Sequence, residues 1–131
     1  MRTLGQKRAA FALEEVLNNH CKSQKDFKTF CSGAPSVILQ NGFGQALAFW
    51  FAKGKGDGED KHQVILDIIQ KWLCLKEGDI QNEFIDACKP TKAMVIALAT
   101  MNQEAYLAAQ KETLALLEWV KRYANALLKG D

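Results

Sequence analysis

The chain has 131 residues, which suits one domain, since domains commonly run about 100–150 residues. Apolar residues make up 48% and charged residues 24%, the mix of a globular protein and not of a disordered or membrane-embedded one. With 17 basic and 15 acidic residues the net charge is +2, so bulk charge does not mark a nucleic-acid binder as a pI above about 9 would. Any nucleic-acid contact must come from cations placed together on one surface.

The predicted elements begin with a helix from about Leu4 to His20. Thr3 and Gln6 form a capping box at its start, and Ala9, Leu13, Val16, Leu17 and His20 recur as an inward stripe. Arg2, Lys7 and Arg8 gather at this N-terminus, where the helix dipole disfavours cations, a hint of an external negative partner. A short helix over Ser23 to Phe30 is then expected to stop at Ser32-Gly33-Ala34-Pro35. Pro35 suits the first turn of the next helix, Ser36 to Lys53.

That helix is apolar almost all round (Val37, Ile38, Leu39, Phe43, Leu47, Phe49, Trp50, Phe51), the pattern of a core centre. A seam of Asn41, Gly44, Gln45, Ala48 and Ala52 interrupts it, and Asn41 and Gln45 are expected to be buried and hydrogen bonded. Gly42 and Gly44 weaken a helix, which implies a compensating close approach. The stretch Lys53 to Asp60 reads as a flexible loop, and Lys61 to Leu75 as an amphipathic helix with Val64, Ile65, Ile68, Ile69, Trp72 and Leu73 inward. Asp79 is expected to cap a helix of about ten residues carrying Ile80, Phe84 and Ile85. Pro90-Thr91 starts another, over Lys92 to Thr100. Asn102 caps the last and longest helix, Gln103 to Lys129, with Leu107, Leu114, Leu117, Val120, Ala124 and Leu127 as its stripe and Gly130 as its stop. No segment alternates with a period of two. The expected fold is all-α, a compact single-domain bundle of about six helices over residues 1–131.

No catalytic or cofactor signature stands out. His20, Cys21, Cys31, His62, Cys74 and Cys88 lack the paired short spacings of zinc sites, and no metal is expected. The cysteines, without a CxxC pair or disulfide-framework density, are expected to be reduced and largely buried. Gly42-Phe43-Gly44 and Lys53-Gly-Lys-Gly fail the phosphate-loop patterns, and the acids at 57–60 do not match a calcium loop. No signal peptide is expected after Arg2, and the stretch Val37 to Ala52 is too short to span a bilayer. The chain is therefore expected to be cytoplasmic, not an enzyme, and without cofactor, membrane partner or small-molecule substrate.

Two motifs carry a resemblance to a known family, and Arg2-Thr3 with Ala10-Phe11 and the Trp72-Leu73 pair fit the same order. Gln40-Asn41-Gly42-Phe43-Gly44-Gln45-Ala46-Leu47-Ala48-Phe49 resembles the QNG-x-x-Q-A-L-A-F motif of the small subunit of the type III-B CRISPR effector, the Cmr complex. Glu112 to Ala124, containing Trp119-Val120-Lys121-Arg122, resembles the E-x-L-A-L-L-x-W-hydrophobic-K-R-aromatic-A helix of that family. The match departs from the usual pattern at Phe43 and Gln110. The resemblance implies a non-catalytic, all-helical subunit of an antiviral RNA-guided complex. It would stack with copies of itself in a filament, beside other Cmr subunits, along paired guide and target RNA. Arg2, Lys7, Arg8, Lys53, Lys55, Lys121 and Arg122 are the candidate RNA contacts. Gln40, Asn41, Gly42, Gln45 and Trp119 are read as structural. The rival readings are the small subunit of the type III-A complex and a helical adaptor without nucleic-acid contact.

Overall fold

The computed structural model describes residues 2–129. Among them the elements are α1 (Leu4–Leu17), α2 (Gln24–Asn41), α3 (Phe43–Gly54), α4 (Lys61–Leu73), α5 (Thr91–Thr100) and α6 (Gln103–Leu127). Strands β1 (Lys76–Glu77) and β2 (Ile80–Gln81) pair antiparallel across a two-residue turn. The all-α bundle expected from the sequence is the fold observed, with this hairpin as a small addition.

Local signals act where they were read. The Thr3 hydroxyl accepts from the Gln6 amide while the Gln6 side chain accepts from the Thr3 amide, which closes the capping box of α1. Asn102 Oδ1 accepts from the Ala105 amide at 2.8 Å and starts α6. The predicted stop at Gly130 lies outside the described residues.

The largest difference is where the second helix ends. The chain runs helically through Ser32 to Pro35, and the break falls at Gly42, with φ 91° and ψ 149°. Proline inside a helix forfeits one backbone hydrogen bond. Here Cys31, Ala34, Pro35 and Ile38 bury one face of α2, and that burial outweighs the loss. Gly42 serves both as the C-cap of α2 and as the entry to α3, at a backbone angle nearly closed to side chains. Gly42→Ala is therefore expected to cost about 2 kcal/mol, although open space surrounds the position. Urea unfolding checks it, and an unchanged midpoint would show that the elbow relaxes freely. The close approach expected of Gly44 is present: its amide donates to the Tyr106 hydroxyl at 2.8 Å, and a Cβ there would lie 3.4 Å from that oxygen.

Packing is organised around α6 and α4. Helix α6 lies between α1 and α2, while α4 packs on α3 and reaches α2, α5 and α6. Nine of the 13 residues of α4 are buried, among them Ile65, Ile69, Trp72 and Leu73. Fully buried side chains of this size each contribute about 1.5–3 kcal/mol. Trp72 stacks obliquely on Phe11 with ring centroids 5.0 Å apart, which fixes α1 against α4.

Other boundaries shift. α1 ends at Leu17, leaving His20 exposed beyond it, so the inward stripe is Phe11, Ala12 and Val16 instead. α4 ends at Leu73 and α3 continues to Gly54, beyond the start of the predicted loop. No helix starts at Asp79; β2 begins at Ile80 instead. After β2, residues 82–90 run irregularly, held by the Asn82 side chain donating to the Trp72 carbonyl at 2.8 Å and by Gln70 donating to the Ala87 and Pro90 carbonyls. On α6, Leu107 and Leu127 face solvent; the buried face is Ala109, Glu112, Thr113, Leu116, Leu117, Val120 and Ala124. On α2 and α3, Leu39 and Phe49 are 68% and 55% exposed, so this segment is only half core.

The cysteines divide into two kinds. Cys21 and Cys31 are free and buried, as expected. Cys74 and Cys88 are joined in a disulfide with Cα atoms 5.5 Å apart, against the expectation of four reduced thiols. The irregular course of 82–90 turns Cys88 back onto the end of α4, which a helix from Asp79 would have prevented.

Candidate nucleic-acid interface

The seven candidate cations fall at two ends of the bundle. Helix α2 runs antiparallel to α6, with Lys28 Nζ donating to the Leu128 carbonyl at 3.1 Å. The Lys22 amide donates to the Glu59 carbonyl at 2.9 Å, so the α3–α4 loop lies at that same end. Lys53, Lys55 and the Lys121-Arg122 turn of α6 therefore share one end, while Arg2, Lys7 and Arg8 lie toward the other, beside the hairpin.

The three cations of the N-terminal cluster are engaged by two acids, Asp79 and Glu112, which leaves one positive charge over. Arg2 Nη2 donates to Asp79 Oδ1 at 2.9 Å, and Lys7 Nζ donates to the Asp79 carbonyl at 2.8 Å. The hydrogen bond from Arg2 holds the Asp79 carboxyl below the usual aspartate value, with the charges of Arg2 and Lys7 adding to it. Arg8 grips the buried Glu112 with two bonds, Nε to Oε2 at 2.5 Å and Nη2 to Oε1 at 2.9 Å. Trp72 Nε1 donates to the same Oε2 at 2.9 Å. Burial alone would raise the Glu112 carboxyl; the bonds from Arg8 and Trp72 outweigh it and hold the group below the usual glutamate value. In return the bonded carboxylate raises the Arg8 guanidinium. The cations expected to face a ligand here instead join α1 to α6 and to the hairpin. Sequence spacing carried no sign of these pairs, whose members stand 77 and 104 residues apart.

The other end differs. Arg122 is exposed and Lys121 half-buried, and neither takes part in an ion pair among the described residues. The Glu118–Arg122 pair that helical spacing allows does not form. Trp119 is half-buried against the core and stacks on Tyr123, with centroids 5.7 Å apart and rings 24° from parallel. Lys53 sits over the Phe49 ring, 5.4 Å from its centroid. Lys55 caps α3 in the left-handed region and is exposed.

The motif residues Gln40, Asn41 and Gln45 are exposed, whereas Asn41 and Gln45 were expected to be buried. Asn41 donates only to the Val37 carbonyl of its own helix, at 3.2 Å. They lie outside because the break at Gly42 turns the chain there and brings both flanking helix ends to the surface. Among the described residues no group of three His, Cys, Asp or Glu side chains is placed to hold a metal ion. No helix of the described residues is long and apolar enough to cross a membrane.

Fold and surface define a small all-helical protein with a charge-paired cluster at one end and, at the other, Lys121 and Arg122 without an ion pair among the described residues. The chain belongs to the CRISPR-associated Cmr5 family: the family model "CRISPR-associated protein (Cas_Cmr5)" matches residues 4–127. It is 27% identical over 131 residues to the "CRISPR system Cmr subunit Cmr5" of Thermotoga maritima, covering 100% of this chain and 89% of that relative. Its fold is similar to the crystal structure of a CRISPR-associated Cmr5 family protein from Thermus thermophilus. The TM-score is 0.72 at 24% identity, covering 98% of this chain and 100% of that one.

Proposed function

We propose that this chain is the non-catalytic small subunit of the type III-B CRISPR effector, the Cmr complex, acting in antiviral defence in the cytoplasm. Stacked copies, beside other Cmr subunits, present cations to paired guide and target RNA. Family membership and the subunit name of the Thermotoga relative support the place in the complex. The observation that supports the RNA contact is the Lys121-Arg122 turn of α6, which makes no ion pair among the described residues and lies at the same end as Lys53 and Lys55. Cations without internal partners are free to meet phosphates, and such contact needs no base readout, because guide pairing supplies sequence specificity. A net charge of only +2 is compatible with this role, since repeated copies build a positive groove that one copy barely shows. Arg2, Lys7 and Arg8 are left out of the proposed RNA face, because each is engaged by Asp79 or Glu112 and the three together keep one net positive charge.

The test is the salt dependence of RNA affinity in the assembled complex. Lys121→Ala and Arg122→Ala are each expected to flatten the log–log slope by about 0.7–0.9 per copy in contact. Arg2→Ala is expected to leave it unchanged. Slopes identical to wild type for both α6 variants would remove that turn from the RNA face. The adaptor reading, in which the chain meets protein alone, would then stand, favoured by the internal pairing of the N-terminal cluster.

A further inference from the structure

The 24 residues from Thr29 to Ala52 contain no charged side chain, although they form much of α2 and all but the end of α3. Many of them are on the surface. Leu39, Gln40, Asn41, Gln45, Phe49 and Ala52 are exposed. Gln45, Phe49 and Ala52 follow at helical steps and share one face of α3. Across the elbow, Val37, Asn41, Gln45, Ala46 and Phe49 line an open cleft of about 240 Å³, the size of one or two side chains. Lys53, over the Phe49 ring, marks its rim.

Soluble surfaces are normally studded with charge, and a charge-free surface with an exposed aromatic in a cleft is the make-up of an interface centre. We infer that this α2–α3 elbow is the docking surface for a different protein subunit of the Cmr complex, one offering an uncharged, apolar contact. The inference rests on the subunit reading above. RNA does not fit the face, since it lacks cations for phosphates. A second copy fits it poorly. The other exposed apolar residues of this chain sit beside charges, Leu107 one turn from Glu104 and Lys111, and Ile96 one turn from Lys92. Laid on an uncharged cleft, those charges would lose water without gaining partners. A two-fold contact of the elbow with itself would close after two copies and would not propagate a stack.

The experiment reconstitutes the complex from purified subunits and guide RNA and measures how much of this chain is retained on a tag carried by another subunit. Phe49→Asp and Ala52→Glu are each expected to lower retention at least 10-fold, while the melting temperature of the free chain holds, since both positions face solvent. If Phe49→Asp fails to fold, Ala52→Glu alone carries the test. Full retention of the folded variants overturns the inference. So does a concentration-dependent dimer of the free chain that Phe49→Asp abolishes, or a fall in RNA affinity of the free chain with that variant. Failure of the wild-type chain itself to be retained overturns the subunit reading, and is distinguishable because it precedes any substitution.

Discussion

Arg8→Ala is expected to destabilise the fold by about 3 kcal/mol, lowering the melting temperature by about 10 °C. The Arg8 side chain is 20% exposed and that of Glu112 6%, so truncating the arginine strands a buried carboxylate with Trp72 as its remaining donor. The pH dependence separates this cause from a mere loss of packing. In the wild type the Glu112 carboxyl is held below its unfolded value. Its contribution is therefore present above about pH 4.3 and is lost as pH falls through the folded value. Without Arg8, burial dominates and pushes the carboxyl above its unfolded value. The folded state then binds the proton more tightly than the unfolded chain, and stability must fall as pH rises through that new value. Urea unfolding followed by tryptophan fluorescence is expected to show Arg8→Ala more impaired at pH 8 than at pH 5. A deficit independent of pH would show that Glu112 is not the group left stranded.

What the sequence disclosed is the chemistry that acts within a few residues. The Thr3–Gln6 box and the Asn102 cap are local hydrogen bonds, legible from residue type and spacing alone. The core of α4 was legible too, because Val64, Ile65, Ile68, Ile69, Trp72 and Leu73 keep a helical period that nothing nearby contests. At Pro35 two local rules compete with burial, and the decision lies in what α2 packs against, which is information from elsewhere in the chain. The internal partners of the candidate cations were hidden for the same reason. Arg2, Lys7 and Arg8 read as free cations since their acids, Asp79 and Glu112, are remote in sequence. Glu112 stood inside the family motif, yet an acid amid apolar neighbours on one helix face was the sole sign that it needed a buried partner. Asn41 and Gln45 were misplaced inward by the apolar residues around them. The turn at Gly42, whose positive φ only glycine readily adopts, brings them out.

The Cys74–Cys88 disulfide leads to an expectation of similar size. It closes a loop with a sequence separation of 14, for which the chain-entropy account gives about 3 kcal/mol. The enclosed segment, residues 75–87, holds the β1–β2 hairpin and the first part of the irregular stretch after it. Dithiothreitol is therefore expected to lower the melting temperature by about 10 °C. The Cys74→Ala/Cys88→Ala double variant should melt at or below the reduced wild type and ignore the reductant. Alkylation of the denatured chain should label two cysteines without reductant and four with it. Shuffling is not expected to blur the result while the chain is folded. Burial pushes the Cys31 thiol up to about 12 and also raises Cys21, so neither supplies the thiolate that attacks a disulfide near neutral pH. Four labelled cysteines in the untreated protein, or a melting temperature indifferent to dithiothreitol, would show that the two sulfurs are neighbours and not a bond.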